Sequence, residues 1–533
     1  MRSCKKLFYG IFICFYSPLC IGQAVETEDS SHYIRLKASN KYSRGPIHRF
    51  FWGNHYRQEW QEPVTFRKVL LDTLAGGLIP YQLGGGRQSK SIRVTDKDNR
   101  EYVFRSIDKS FGKALPEILQ GSFIESIADG QVTISHPYSV MVVAPLAEAA
   151  HIYHTNPELF YVPKQPALGK FNDSAGNTLY SFEQRPDEDW ETAQNFGNSK
   201  KIISTDKMLE KILADNDNTI DQQLFARSRL FDMLIGDWGR HEDQWRWASF
   251  KDDKKTLYAP IPRDRDNAFT KFDGFLLNLI IPAANAKHLQ TFDHKIKDVA
   301  RLNFPARNLD HHLLNQVTLQ EWIAIATDIK TRLTDNIIEN AVKQMPPEVY
   351  PISGAEITAK LKSRREMLPE YAAEYYRFLS DEVEITGTEK AELFEVKRLS
   401  DEETEVSLYK ITKEGNTKAK PFFHRTFKTN ETTQLRLYGI AGNDEYKITG
   451  QVKKGIKIRL IGGVDKDKYQ DESTVGGPSH KTKIYDNYGN DISTSKETVV
   501  NLSKSQAINQ YDFKYFNYNK KGLAPKIFYN NED

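Results

Sequence analysis

"LFDMLIGDWGRHEDQWRW", residues 230–247, decides how this chain is read. Upstream of it, Ile220, Leu224, Phe231, Leu234 and Ile235 recur at helical spacing and make one buried face. That helix ends at "LIGD", so Asp237 to Gln244 form the loop that follows. The loop offers Asp237, Asp243 and Gln244 as hard oxygen donors and His241 as an imidazole. Mg²⁺ or Mn²⁺ takes such oxygens and completes its shell with phosphates. A purely structural loop would instead use Arg240 and Asp243 as a salt bridge.

Downstream, "YAPIPRDRDNAF" (258–269) reads as an apolar strand running into Asp264 and Asp266. Two residues apart on an extended chain they face opposite sides, so one of the two is expected at a metal. Upstream, "LGGGRQSK" (83–90) places Gly84, Gly85 and Gly86 at a strand, where glycine lets backbone approach a phosphate. A hairpin bend would use the same glycines, and the ending of a Walker loop is missing. "EYVFRS" supplies Arg105 as a strand-end cation, with Lys109 in reserve. Glu148 in "PLAEAAHIYH" is a helical acid suited to pair with that cation, or else simply solvated. Phosphoryl transfer needs these parts: cations and backbone over the phosphates, acids for metal, and a group that orients the nucleophile.

The remaining composition bounds the answer. The 533 residues are 39% hydrophobic and 27% charged, enough for two or three domains with real cores. Residues 1–22 read as an export signal, with Arg2, Lys5 and Lys6 ahead of "LFYGIFICFYSPLCIG". All three cysteines, Cys4, Cys14 and Cys20, fall inside it, so no thiol or disulfide chemistry is expected of the mature chain. Cys20 invites lipidation, but Pro18 and Leu19 before it favour simple cleavage. The 74 basic and 71 acidic residues give no field for nucleic acid, and no transmembrane helix is expected after the signal. The basic stretch "KASNKYSRGPIHRFFWGNHYRQEW" reads as a solvated surface arm.

Strands and one helix followed by a mostly helical region describe an α+β, two-lobed domain. The expected organisation is a signal (1–22), an N-terminal arm (23–75), that domain (76–380), a small all-β domain (381–490) and a C-terminal tail (491–533). Gly-Asp turns in "GIAGNDEYKITG" and "LIGGVDKDKYQD" suit turn chemistry better than Ca²⁺.

"FDMLIGDWGRHEDQW" followed by "PIPRDRDNAF" resembles the catalytic and metal-binding loops of atypical secreted kinases, the Golgi casein-kinase and spore-coat-protein kinase types. Over roughly residues 45–530 the chain also resembles a family of exported bacterial proteins often joined to a calcineurin-like phosphatase and an outer-membrane β-barrel. The resemblance implies a kinase-like fold binding ATP with Mg²⁺ or Mn²⁺. It puts Arg105 at the phosphate-pairing cation, Glu148 at its partner, Gln244 and Asp264 or Asp266 at the metal, and Glu183 of "FEQRP" among the nucleotide-site residues. It further implies an exported protein of the periplasm or outer-membrane surface, acting on an envelope protein or glycan. This chain departs from the pattern at Gly239, where those kinases place the catalytic Asp ahead of Arg240 and His241. Asp237 is the expected substitute. Two rival readings stay open: a pseudokinase adaptor contacting an outer-membrane β-barrel, and a metal-dependent hydrolase using His241 with Asp237, Asp243 and Asp264.

Overall fold

Seven strands make the first sheet: β1 (Tyr33–Lys37), β2 (Pro63–Lys68), β3 (Ile79–Gly84), β4 (Ser89–Thr95), β5 (Glu101–Lys109), β6 (Glu158–Val162) and β7 (Thr178–Gln184), in the order β1-β2-β6-β7-β5-β4-β3. The structure, a computed structural model, describes residues 32–84, 89–110, 123–505 and 509–515. The expected signal, Gly85, Gly86 and about half of the tail lie outside them.

The β4–β5 hairpin is the one the sequence predicts. Alternation buries Ile92, Val94 and Phe104, and Asp96 closes the turn by accepting from the Asp98 and Arg100 N–H groups at 2.9 and 2.8 Å. The N-terminal arm is not only an arm. β1 and β2 pair antiparallel and β2 joins β6, burying Val64 and Phe66. Two inward residues per strand are too short a pattern to stand out in a polar stretch.

A smaller sheet follows, β8 (Ile202–Ser204), β9 (Asn218–Ile220), β10 (Trp245–Asp252) and β11 (Lys255–Pro262), in the order β8-β10-β11-β9. Ile220 therefore ends a strand rather than starting the helix. The helix is Gln222–Ile235, capped by the Asp221 carboxylate on the Leu224 N–H at 2.9 Å and stopped by Gly236 at φ 74°. It is buried almost throughout and packs against Leu319–Arg332, Ala355–Glu366 and Leu368–Ser380 in one continuous core. Mixed α and β structure thus runs to residue 380, and the elements from 381 to 505 are all strands, the all-β character the sequence predicts.

The all-β region is a parallel β-solenoid. It comprises β12 (Glu382–Thr386), β13 (Glu392–Arg398), β14 (Glu403–Lys410), β15 (Phe423–Lys428), β16 (Gln434–Ile440), β17 (Glu445–Thr449), β18 (Gln451–Val452), β19 (Lys457–Gly463), β20 (Lys468–Asp471), β21 (Thr474–Val475), β22 (Thr482–Asp486), β23 (Asp491–Ser493) and β24 (Thr498–Leu502). β12-β16-β19-β22-β24 stack in parallel on one wall and β13-β17-β20-β23 on the other, while β14 and β15 form an inserted antiparallel hairpin. Glu445 pairs with Lys468 and Lys468 with Asp491, steps of 23 residues. The strands run past the expected limit of 490 to Leu502, because each coil must lie on the one before.

Like residues stack from coil to coil. Phe394, Tyr446 and Tyr469 pile ring on ring, 4.6 Å apart at 18° and then 4.7 Å at 7°. Beside them runs a column of Glu392, Asp444, Asp467 and Asn490. Asp444 accepts from the Glu392 N–H at 2.8 Å, Asp467 from Asp444 at 2.9 Å and Asn490 from Asp467 at 2.9 Å. The Gly-Asp turns thus serve as coil-to-coil fasteners.

Candidate active site

The strand-end cation and the loop acids meet across one cleft. Arg105, on β5, sends Nε to Glu183 of β7 at 2.9 Å and Nη2 to Asp264 at 2.8 Å. Thr155 Oγ1 donates to the other Glu183 oxygen at 2.6 Å and fixes that carboxylate. Lys109, at the end of the same strand, pairs with Asp266. A cavity of about 270 Å³ opens over these groups, with Gln244, Asn267 and His136 also on its wall.

Both acids reach the cleft because the chain is not extended after β11. Asp264 takes the left-handed conformation at φ 54°, which Asp tolerates better than most residues. The turn sends Asp264 to Arg105 and Asp266 to Lys109, so both acids stand on the cavity wall, where an extended chain would have faced them to opposite sides. Burial works to raise the Asp264 carboxyl, but Arg105, then Arg263 and Arg240, outweigh it and hold the group below its ordinary value. His136 is buried and kept neutral, its pKa pushed down to about 3 by loss of solvent and by Lys271.

The opening loop divides into buried and exposed parts. Asp237 is sealed in and pairs with Arg240, whose guanidinium also reaches the Arg263 carbonyl and stands 3.4 Å from Asp232. Burial raises the Asp237 carboxyl, with Arg240 opposing. Asp237 is therefore a brace between loops and does not face the cleft. Arg240 is equally enclosed, and its partner is Asp237 rather than Asp243. His241 and Asp243 are exposed and lie off the cavity wall, so of the loop's candidate donors Gln244 alone lines it.

Three more placements differ from expectation. Glu148 is exposed on its helix, and Glu183 is the acid that pairs with Arg105. Gly84 ends β3 opposite Ser91, off the cavity wall, while Gly85 and Gly86 fall outside the described residues. Gly239 faces Asn267: a β-carbon there would lie 2.6 Å from Asn267 Nδ2.

Sequence reasoning missed the groups that hold the loops. Asp232 is fully buried and gathers Arg229 at 2.6 Å, Arg265 at 3.1 Å and Arg240. Burial would raise its carboxyl, but Arg240, Arg265 and Arg229 hold it low. Arg229 reaches on to Asp310 at 3.0 Å, and Tyr375 donates to the same carboxylate at 2.5 Å. The one sequence signal was Asp232 itself, an acid inside the apolar face of a helix. Asn267 stood in plain view in "DRDNAF" but has no titratable group.

No family model matches the chain, and no curated protein matches it. Among solved structures, a similar one is the crystal structure of a Helicobacter pylori proinflammatory kinase, CtkA, with a TM-score of 0.28 and 11% identity. The likeness covers 53% of this chain and 92% of that one, and at that distance it assigns no residue a role.

Proposed function

We infer that the cleft binds a nucleoside triphosphate, ATP in the first instance, together with Mg²⁺ or Mn²⁺, in the manner of a kinase-like domain. The observation that carries this is the double pairing of Arg105 with Asp264 and Lys109 with Asp266 along one solvent-reaching cavity. A metal–triphosphate complex brings both signs of charge. Its phosphates suit Arg105 and Lys109, while a hard cation suits the oxygens of Asp264, Asp266 and Gln244. Among the described residues no three His, Cys, Asp or Glu side chains gather as a self-sufficient metal site, so phosphate oxygens are needed to complete the shell.

Catalysis is the weaker half of the reading. Gly239 carries no side chain and Asp237 is turned away, so the loop from Asp237 to Gln244 presents no carboxylate on the cavity wall to orient a nucleophile. A nucleotide-binding pseudoenzyme is thus favoured over an efficient phosphotransferase. The metal-hydrolase reading loses ground, because His241 and Asp243 do not line the cavity. An exported location, with an envelope protein or glycan as acceptor and an outer-membrane β-barrel as neighbour, belongs to this proposal through the sequence resemblance alone.

Thermal melting of residues 23–533 with ATP and Mg²⁺, Mn²⁺ or neither tests the reading. A metal-dependent rise in Tm that disappears in Arg105→Ala supports it. No rise with either metal overturns it.

A further inference from the structure

Two short helices carry a dense group of uncovered apolar side chains. Pro46–Trp52, "PIHRFFW", and Phe275–Ala283, "FLLNLIIPA", bury none of their residues. Ile47, Phe50, Phe51, Phe275, Leu279 and Ile280 are exposed, Ile47 by 77% and Phe50 by 63%. The helices touch: the Phe50 and Phe275 rings stack 5.9 Å apart at 12°, and Phe51 meets Phe275 edge-on at 6.3 Å. The six side chains form one platform.

Glycines fix its shape. A β-carbon on Gly274 would lie 2.7 Å from the Gly53 nitrogen, and one on Gly53 would collide with the Asp273 carbonyl. The backbones cross here because neither residue has a side chain, and the two helices are held together with their rings outward.

The charge pattern states what the platform meets. From His32 to Gln58 there is no Asp or Glu, against Arg35, Lys37, Lys41, Arg44, Arg49 and Arg57. From Gly274 to Phe292 there is again no acid. Arg49 on the first helix and Lys287, Lys295 and Lys297 in the loop after the second are exposed, and none has an ion pair among the described residues. The adjoining acid, Asp273, is engaged by His55, whose N–H it accepts at 2.8 Å. Asp298 caps a helix at the Arg301 N–H at 2.8 Å, and Asp293 accepts from the His294 N–H at 2.8 Å. Asn278 is the lone polar side chain in the second helix, too few for a directional protein interface. No described helix is long and apolar enough to cross a membrane.

We propose that this platform docks the chain on an anionic phospholipid surface, its six apolar side chains entering the boundary between headgroups and acyl chains while the flanking cations face lipid phosphates. The proposal is independent of the nucleotide reading.

Cosedimentation of residues 23–533 with phosphatidylglycerol-containing vesicles, and with phosphatidylcholine alone, tests it. Two variants accompany the native chain: Phe50→Ser/Phe275→Ser/Leu279→Ser, and Arg49→Ala/Lys287→Ala. All five positions are exposed, and an unchanged melting curve confirms folding. The expected result is binding to the anionic vesicles, reduced at least tenfold in the triple variant and severalfold by high salt or in the cation variant. Anionic-vesicle binding no stronger than that of the triple variant overturns the proposal. So does self-association, seen by light scattering, that the triple variant abolishes, because the platform would then join two copies of this chain.

Discussion

Asn267 occupies the space beside Gly239, its Nδ2 within 2.6 Å of where a β-carbon would stand. An acid at 239 would therefore enter against the amide on the cleft wall. Glycine in the loop after the helix thus faces an amide in the loop after β11. Introducing an acid in Gly239→Asp alone should give little gain, since Asn267 must first swing away. Gly239→Asp/Asn267→Ala should transfer phosphate to water or a generic acceptor well above native, within the roughly 10²–10⁴-fold range a positioned base supplies. Radiolabelled ATP turnover measures it. Native turnover equal to the double variant's would mean that another group orients the nucleophile.

Asp232 contacts three guanidinium groups inside the helical lobe. Removing one partner of a buried pair leaves uncompensated charge and costs about 3–5 kcal/mol. Asp232→Ala should lose stability on that scale in urea unfolding, and nucleotide binding should fall with it, because Arg240 and Arg265 brace the two cleft loops. A loss under about 1 kcal/mol would show that water replaces the carboxylate.

The solenoid should weaken as pH rises. Burial, with Glu392 and Asp467 nearby, pushes Asp444 up to about 11, and burial, with Asp486 nearby, pushes Asp467 up to about 8. A raised carboxyl binds its proton more tightly when folded. Its contribution is complete below the usual carboxylate value of about 4 and declines as pH rises toward the folded value. Asp467→Asn should flatten the fall in melting temperature between about pH 5 and 8.5. The amide fits, because Asn490 already holds the next place in that column. Buried His55 and His136, both pushed down to about 3, act in the opposite sense, losing stability as pH falls below about 6.5. The comparison of variant with native cancels them. An unchanged pH slope would show that Asp467 is ionised in the fold.

Glycine is required at one column of the solenoid. A β-carbon on Gly462 would collide with Asp467, Asp486 and the Tyr469 hydroxyl, and one on Gly439 would lie 2.6 Å from the Tyr446 hydroxyl. Gly462→Ala should cost about 1–3 kcal/mol by overpacking. Gly45→Ala, with nothing within 4 Å and φ −67°, should stay within about 0.5 kcal/mol. Thermal melting of the two variants compares them directly.

The sequence by itself determined the local pieces. Alternation and turn residues gave the β4–β5 hairpin, helical spacing gave the helix ending at Gly236, and the change in character near 381 marked the start of the all-β region. Motif order also singled out Arg105, Lys109, Gln244, Asp264 and Asp266, which the structure gathers on one cavity wall, together with Glu148, Asp237, His241 and Asp243, which it does not. Tertiary structure alone decided which charges meet. A linear reading pairs Arg105 with Glu148, whereas sheet register brings β7, and with it Glu183, alongside β5. Asp237 and Asp243 are equivalent loop acids in sequence, yet one is sealed against Arg240 and the other stands in solvent. The 23-residue solenoid step escaped a pattern reading because an inserted hairpin separates its first coil from the second, and Glu, Asp and Asn share one column. Periodicity is a property of neighbours along the chain. Ion pairing and coil stacking join residues tens of positions apart, and packing alone selects among them.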